Sequence, residues 1–214
     1  MAQIFPKWSN RVPKIVLIAL LLFVSAIIFV FWFWFSPWNL EVGYAPKQPI
    51  PFNHKKHVGE YGIDCLNCHQ YAPLSPNAGV PPTQVCMNCH THIKKDSIKL
   101  EPLFESWNRD TPVPWVRVYK MPDYVYFDHS AHISNGVGCK TCHGRVDQME
   151  RVRVMTPLSM SWCLDCHRNP APHLRPLDKV TDMEFEADDA WKAIAERKAK
   201  TLHPPVTSCS GCHR

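Results

Sequence analysis

Five copies of one spacing, C-x-x-C-H, take up every cysteine in the chain. They are Cys65-x-x-Cys68-His69, Cys86-x-x-Cys89-His90, Cys139-x-x-Cys142-His143, Cys163-x-x-Cys166-His167 and Cys209-x-x-Cys212-His213. No thiol is left for a structural disulfide. Two cysteines with two residues between them can each form a thioether to one edge of a haem, and the next histidine then lies under the iron. The pattern is the attachment signature of c-type haem. Paired C-x-x-C motifs also build four-ligand zinc ribbons. Neither zinc nor a redox dithiol requires a histidine after every second cysteine. The expected cofactors are therefore five covalently bound c-type haems, with His69, His90, His143, His167 and His213 as proximal ligands.

That cofactor load dictates the kind of fold. Residues 36–214 supply roughly 36 residues per haem, too few for a conventional core at each site. The porphyrins must form much of the interior, with mostly short helices and loops wrapped round them. The haems must then lie close enough together for electrons to pass. Composition agrees. Twenty prolines and eight glycines in 214 residues disfavour a regular bundle or barrel. The 45% hydrophobic and 20% charged fractions exclude a disordered chain. The formal charge of +5 says little about partners, because five ferric haems with two propionates each contribute about five negative charges. No basic cluster with interleaved aromatics points to nucleic acid.

Residues 15–35 (IVLIALLLFVSAIIFVFWFWF) contain no charge and one weakly polar member, Ser25. A run of about 20 apolar residues crosses the hydrocarbon core as a helix. Trp32, Trp34 and Trp38 stand at its end, where amphipathic rings favour the interface. Lys7, Arg11 and Lys14 precede it, so the positive-inside rule puts residues 1–14 in the cytoplasm and the haem-bearing part outside. A cleaved signal peptide would have a shorter apolar run and a small-residue cleavage site. The expectation is a single-pass anchor in a bacterial inner membrane with the haem domain on the periplasmic side.

A Pro-punctuated linker, 36–50, leads to an internal repeat. Phe52-x-His54-x-x-His57 precedes the first motif, and Phe127-x-His129-x-x-His132 precedes the third. Each is followed by a second motif. Cys65 and Cys139 are 74 residues apart, and Cys86 and Cys163 are 77 apart, which argues for a duplicated two-haem module. The expected divisions are 51–122, a first two-haem module with its connector, and 123–214, a second module with three haems. Residues 101–122 read as an extended connector, and 182–201 as a helix with Phe185, Trp191 and Ile194 on its buried stripe.

Bis-histidine ligation needs one more ligand per haem. His54, His57, His129 and His132 occupy equivalent places in the repeats and are the candidate distal ligands. In sequence order they would serve the first, second, third and fourth haems. The fifth haem, on His213, has Met160 as its candidate, with His203 and His173 as rivals. A thioether ligand would raise that haem's potential relative to bis-histidine neighbours. His92 follows His90 too closely to reach its own iron. No Ser-His-Asp arrangement, P-loop or G-x-G-x-x-G occurs, and Asp64 and Asp165 read as solvated turn residues.

The F-x-H-x-x-H…C-x-x-C-H arrangement resembles the small multihaem cytochromes of the c3/c7 class, in which those two histidines ligate different haems. The chain also resembles the pentahaem cytochrome subunits of alternative complex III, a bacterial quinol:cytochrome c oxidoreductase. The stretches beginning at Gly43, Val80, Pro114, Gly136 and Pro157 (GYAPKQPIPFNHKKH, VPPTQVCMNCH, PWVRVYKMPDYVYFDHSAH, GVGCKTCHGRVDQME, PLSMSWCLDCHRNP) carry the likeness. The resemblance implies a c3/c7-like fold and an electron-relaying subunit that is not itself an enzyme. It also implies a polytopic quinol-binding membrane subunit, an iron–sulfur subunit, and a monohaem cytochrome c or terminal oxidase as partners. Two other readings fit the motifs: a stand-alone quinol dehydrogenase feeding a periplasmic reductase, and a multihaem reductase with an open haem.

Overall fold

A computed structural model describes residues 4–35, 41–201 and 206–213. The chain forms two compact units, residues 1–41 and 42–214. The first is a short 3₁₀ turn, Lys7–Arg11, running into helix α1, Val12–Phe35. Pro13 sits in the first turn, where a missing N–H removes no helix bond. Twenty-four residues rise about 36 Å, enough for a hydrocarbon layer of about 30 Å. The Ser25 hydroxyl is absorbed by the Leu21 carbonyl one turn back. Ile15, Leu22 and Phe29 stand more than half exposed along its length. Lys7–Phe35 is the one segment among the described residues long and apolar enough to cross a membrane. Trp38 and the first five linker residues lie outside the described residues.

The second unit is mostly short helices, with no strand among the described residues. A π-helical turn, Lys55–Glu60, follows His54. Then come α2 (Cys65–Cys68), α3 (Thr83–His90), α4 (Glu101–Arg109), α5 (His129–Ser134), α6 (Cys139–His143), α7 (Met160–Arg168), α8 (Asp189–Thr201) and α9 (Cys209–Cys212). Two isolated antiparallel bridges, Val125 with His213 and Val137 with Leu174, are the nearest approach to a sheet. Ten apolar side chains are buried among the described residues, a thin interior for a unit this long, as a cofactor-lined fold requires.

Two expectations about secondary structure need correction. The connector is not extended throughout, because residues 101–109 form α4. Pro102 and Glu101 suit its first turn. Its buried Leu103 packs with Ile50 and the α3 residue Met87, flanked by Phe104, Val113 and Trp115. The Ser106 hydroxyl accepts or donates across 2.9 Å to Thr83 at the start of α3. The helix ends at Asp110, which takes a left-handed conformation at φ 50°.

The second correction concerns the helix expected over 182–201, which begins only at Asp189. Asp188 accepts from the Trp191 amide at 2.7 Å and caps it, while Asp182 accepts from the Glu184 amide in a separate turn. Phe185 therefore lies outside the helix. Ile194 is 41% exposed, and the buried position is Ala195. Trp191 does face inward, and its indole N–H donates to the Leu174 carbonyl at 2.9 Å.

The two halves of this unit interlock. Lys55 donates from its backbone to the Met149 carbonyl (3.0 Å), and His129 to that of Pro76 (3.2 Å). Gly59 lets the chain pass so close to Asp147 that a Cβ there would meet the Asp147 carbonyl oxygen at 2.4 Å. Asp147 is held in place by Arg145, which pairs with it at 2.7 Å and also with Glu184.

Opposed histidine pairs at the attachment motifs

Each C-x-x-C-H forms or ends a short helix: α2, α3, α6, α7 and α9. The cap residues fix where these helices start. Asp64 accepts from the Leu66 amide at 2.8 Å and Ser159 from the Trp162 amide at 3.3 Å. Asp64 is therefore an N-cap and more than a solvated turn residue. Asp165 is exposed on α7.

The candidate distal histidines stand opposite candidate proximal ones. The ring centroids of His57 and His90 are 6.3 Å apart, those of His129 and His143 are 6.4 Å apart, and those of His132 and His167 are 6.0 Å apart. A metal–imidazole bond of about 2 Å on each side of one iron sets two ring centroids roughly 6.2 Å apart. The three pairs therefore have the spacing that an iron between them demands. His54 has His69 as its foremost charged neighbour, ahead of His57 and His143. Among the described residues no three His, Cys, Asp or Glu side chains converge as a zinc ribbon would need.

The ring nitrogens are oriented for ligation. Nδ1 of His69 donates to the Gly79 carbonyl (3.1 Å), that of His90 to Ile93 (2.9 Å), that of His167 to Val206 (2.9 Å) and that of His213 to Tyr124 (3.2 Å). Among the distal candidates, His57 donates to Asn53 (2.9 Å), His129 to Pro76 (2.9 Å) and His132 to Asp128 (2.6 Å). A carbonyl can only accept, so Nδ1 carries the proton in all seven and Nε2 is left with its lone pair for a metal. His54 differs, since its Nδ1 is buried without a partner. Burial pushes His54 and His143 down to about 4, which keeps both in the neutral form that binds metal. Burial also lowers His132 and His173.

The phenylalanine of each F-x-H-x-x-H sets both rings. Phe52 stacks on His57 at 4.4 Å and stands edge-on to His54 at 4.7 Å. Phe127 stacks on His132 at 4.5 Å and stands edge-on to His129 at 4.7 Å. The repeated phenylalanine was visible in the sequence, but its role as a two-sided support was not. Tyr119, edge-on to His143 at 4.6 Å, is a further contact that the sequence did not signal.

Neighbouring thiols give the motifs an order. Cys68 lies near Cys89, and Cys86 near Cys68, so the first motif adjoins the second. Cys65 and Cys139 are close neighbours, which pushes the Cys65 thiol up and the Cys139 thiol down and joins the first motif to the third. Cys142 is pushed up to about 12, first by burial and then by Cys166 and Cys163, so the third adjoins the fourth. Cys163 lies near Cys212, so the fourth adjoins the fifth. The spatial sequence is second, first, third, fourth, fifth.

Three residues are candidates to face the fifth motif. Met160 is the first residue of α7 and 60% exposed. It lies three residues before Cys163, and residues three apart share a helix face. His173 is half-buried in the turn Ala171–His173, next to Leu174, which pairs with Val137 beside the third motif. His203 lies outside the described residues. His92 is exposed.

Comparison with known proteins agrees with this geometry. Residues 37–112, which span the first F-x-H-x-x-H and the first two attachment motifs, match the Class III cytochrome C family. The chain is 35% identical over 116 residues to the menaquinone reductase multiheme cytochrome c subunit of Nitratidesulfovibrio vulgaris (strain Hildenborough). That alignment covers 53% of this chain and 53% of the relative, so the chain spans about half the length of the relative it matches. Residues 37–112 thus match a class III cytochrome domain, and the five attachment motifs and short helices are features of multihaem c-type cytochromes.

Proposed function

We propose that this chain carries five c-type haems as a linear relay and passes electrons within a membrane quinol:cytochrome c or oxidase oxidoreductase of the alternative complex III type. The carrying observation is the set of opposed histidine rings 6.0–6.4 Å apart on motifs whose thiols adjoin in series. His69, His90, His143, His167 and His213 serve as proximal ligands. Cys65, Cys68, Cys86, Cys89, Cys139, Cys142, Cys163, Cys166, Cys209 and Cys212 make the thioethers. His54, His57, His129 and His132 serve the first to fourth haems in sequence order. The fifth takes Met160, which its place one turn before Cys163 supports.

Bound haem supplies one-electron redox chemistry, and the protein supplies attachment, axial ligands and spacing. The carbonyls facing Nδ1 in seven of these histidines would orient the rings toward a bound haem and make the imidazoles better donors. No open iron position is needed, because candidate ligands outnumber haems, and this weighs against a reductase. In this reading α1 anchors the chain in the inner membrane with residues 42–214 on the periplasmic side. The partners are a polytopic quinol-binding subunit, an iron–sulfur subunit, and a monohaem cytochrome c or terminal oxidase.

The name of the relative favours a second direction of flow, in which the same relay delivers electrons to menaquinone. Purification of the full chain from native membranes separates the readings. The complex III reading expects co-purifying iron–sulfur and polytopic subunits, five haems by intact mass, and reduction of the haems by added quinol. Isolation of the chain alone, with direct quinol oxidation, would establish the stand-alone dehydrogenase instead.

A further inference from the structure

Arg175 is 8% exposed, yet none of the ion pairs among the described residues includes it. Its Nη1 donates to the Asp182 carbonyl at 2.6 Å, and its guanidinium carbon lies 5.4 Å from the centre of the Phe185 ring. The rest of the head is pressed against Gly138. A Cβ at that position would meet Nε at 2.3 Å and Cζ at 2.6 Å. Gly138 directly precedes Cys139. The Arg175 backbone is also fixed there, donating to the Gly136 carbonyl at 2.7 Å. A Cβ at Gly136 would meet the Arg175 carbonyl oxygen at 2.5 Å. Gly138 thus leaves room for the Arg175 head, and Gly136, at φ 87° where glycine is favoured, admits the Arg175 carbonyl.

A clamp alone would need no charge, since a neutral side chain of similar length could fill the same space. A guanidinium stays protonated in proteins. The Asp182 carboxylate lies near enough to act on Arg175 but pairs with Lys179 and forms no ion pair with the guanidinium, so a costly buried cation is left to act on other groups beside it. In the first module the residue directly before the first cysteine is Asp64, a carboxylate. Cys65 and Cys139 adjoin, so a negative and a positive group flank the junction between the modules.

We propose that Arg175 is a fixed cation that raises the potential of the haem held by Cys139 and Cys142, so that electrons move favourably from the first module into the second. The inference rests on the relay reading above. Reduction of a ferric haem removes one positive charge, and a nearby cation favours the reduced form by Coulomb's law. Arg175 itself exchanges neither electron nor proton.

The test is a redox titration of the full holoprotein, following each haem spectroscopically, with haem content counted by intact mass. His129→Met, which changes the axial ligand at the third haem, marks the component that belongs to it. Arg175→Gln should shift the reduced-to-oxidised ratio of that component about tenfold toward oxidised, about 59 mV for one electron. Arg175→Lys should retain most of the wild-type value. Phe185→Glu, which sets a carboxylate beside the guanidinium, should shift the same component in the same direction. It also decides the matter if Arg175→Gln loses haem. Unmoved potentials with five haems in place would overturn the proposal and leave Arg175 as packing. So would a shift confined to a different component. A wild-type chain with fewer than five haems would instead strike the relay reading, and the third haem could still be tested.

Discussion

In the first module Phe52 supports His54 and His57, and Asn53 accepts the His57 Nδ1 proton; in the second, Phe127 supports His129 and His132, and Asp128 accepts that of His132. Ring distances agree within 0.1 Å between the two, so the histidine frame has the same geometry in both. The surroundings have diverged. The position before the first cysteine is Asp64 in one copy and Gly138 in the other, where Arg175 occupies the space. His54 keeps a buried Nδ1 without a partner, whereas His129 donates to Pro76 of the other module. The second copy also extends to a fifth motif, whose backbone joins Val125 through His213. In the proposed relay the frame would fix ligation, and the residues outside it would set potentials and direction.

Removing haems should expose that arrangement most strongly. Cys139→Ala with Cys142→Ala deletes the third haem, the link between modules, and should abolish transfer from the second-haem end to the fifth. Cys209→Ala with Cys212→Ala should leave the remaining four in equilibrium with one another. Rapid-mixing reduction kinetics of the two variants would distinguish a linear order from a branched one, since a branched order predicts similar losses.

Ligand substitutions come next. His57→Ala should convert the haem on His90, not that on His69, from its low-spin state, and His132→Ala should do the same to the haem on His167. Electron paramagnetic resonance reads the change. An effect at the haem of the same module's first motif would mean that the two histidines are exchanged.

Smaller effects test the divergence. Gly138→Ala drives a methyl into the Arg175 head and should cost about 1–3 kcal/mol in thermal unfolding of the holoprotein. Asp64→Asn should be nearly neutral in stability, because asparagine caps as well as aspartate. It should raise the first haem's potential slightly, by less than Arg175→Gln lowers the third's, since Asp64 is exposed and screened by salt. Trp191→Phe removes the hydrogen bond to Leu174 and should cost about 1 kcal/mol.

The sequence displayed the ligand frame because haem attachment needs fixed residue types at fixed spacing, and a phenylalanine two residues before a histidine repeats visibly. The helix α4 was hidden because its propensity is ordinary. It forms because Leu103 finds Ile50 and Met87, and both contacts are distant in sequence. The start of α8 was misplaced because Asp182 and Asp188 are both good caps, and only packing of the 174–185 segment around Arg175 separates them. Arg175 itself carries no local signal. Its importance comes from two glycines nearly 40 residues earlier. The order of the motifs in space was equally hidden, since it depends on long-range contacts such as that between Cys65 and Cys139.

The central claim is that the haems stand in one line, in the order second, first, third, fourth, fifth, each of the first four between paired histidines. Crystals of the haem-loaded protein, with iron located by its anomalous scattering, test it directly. The account predicts five iron sites, the iron on His69 flanked by those on His90 and His143, with the iron on His213 at the far end next to that on His167. An iron on His69 that does not neighbour the one on His143, or His57 bound to the His69 iron, would contradict it.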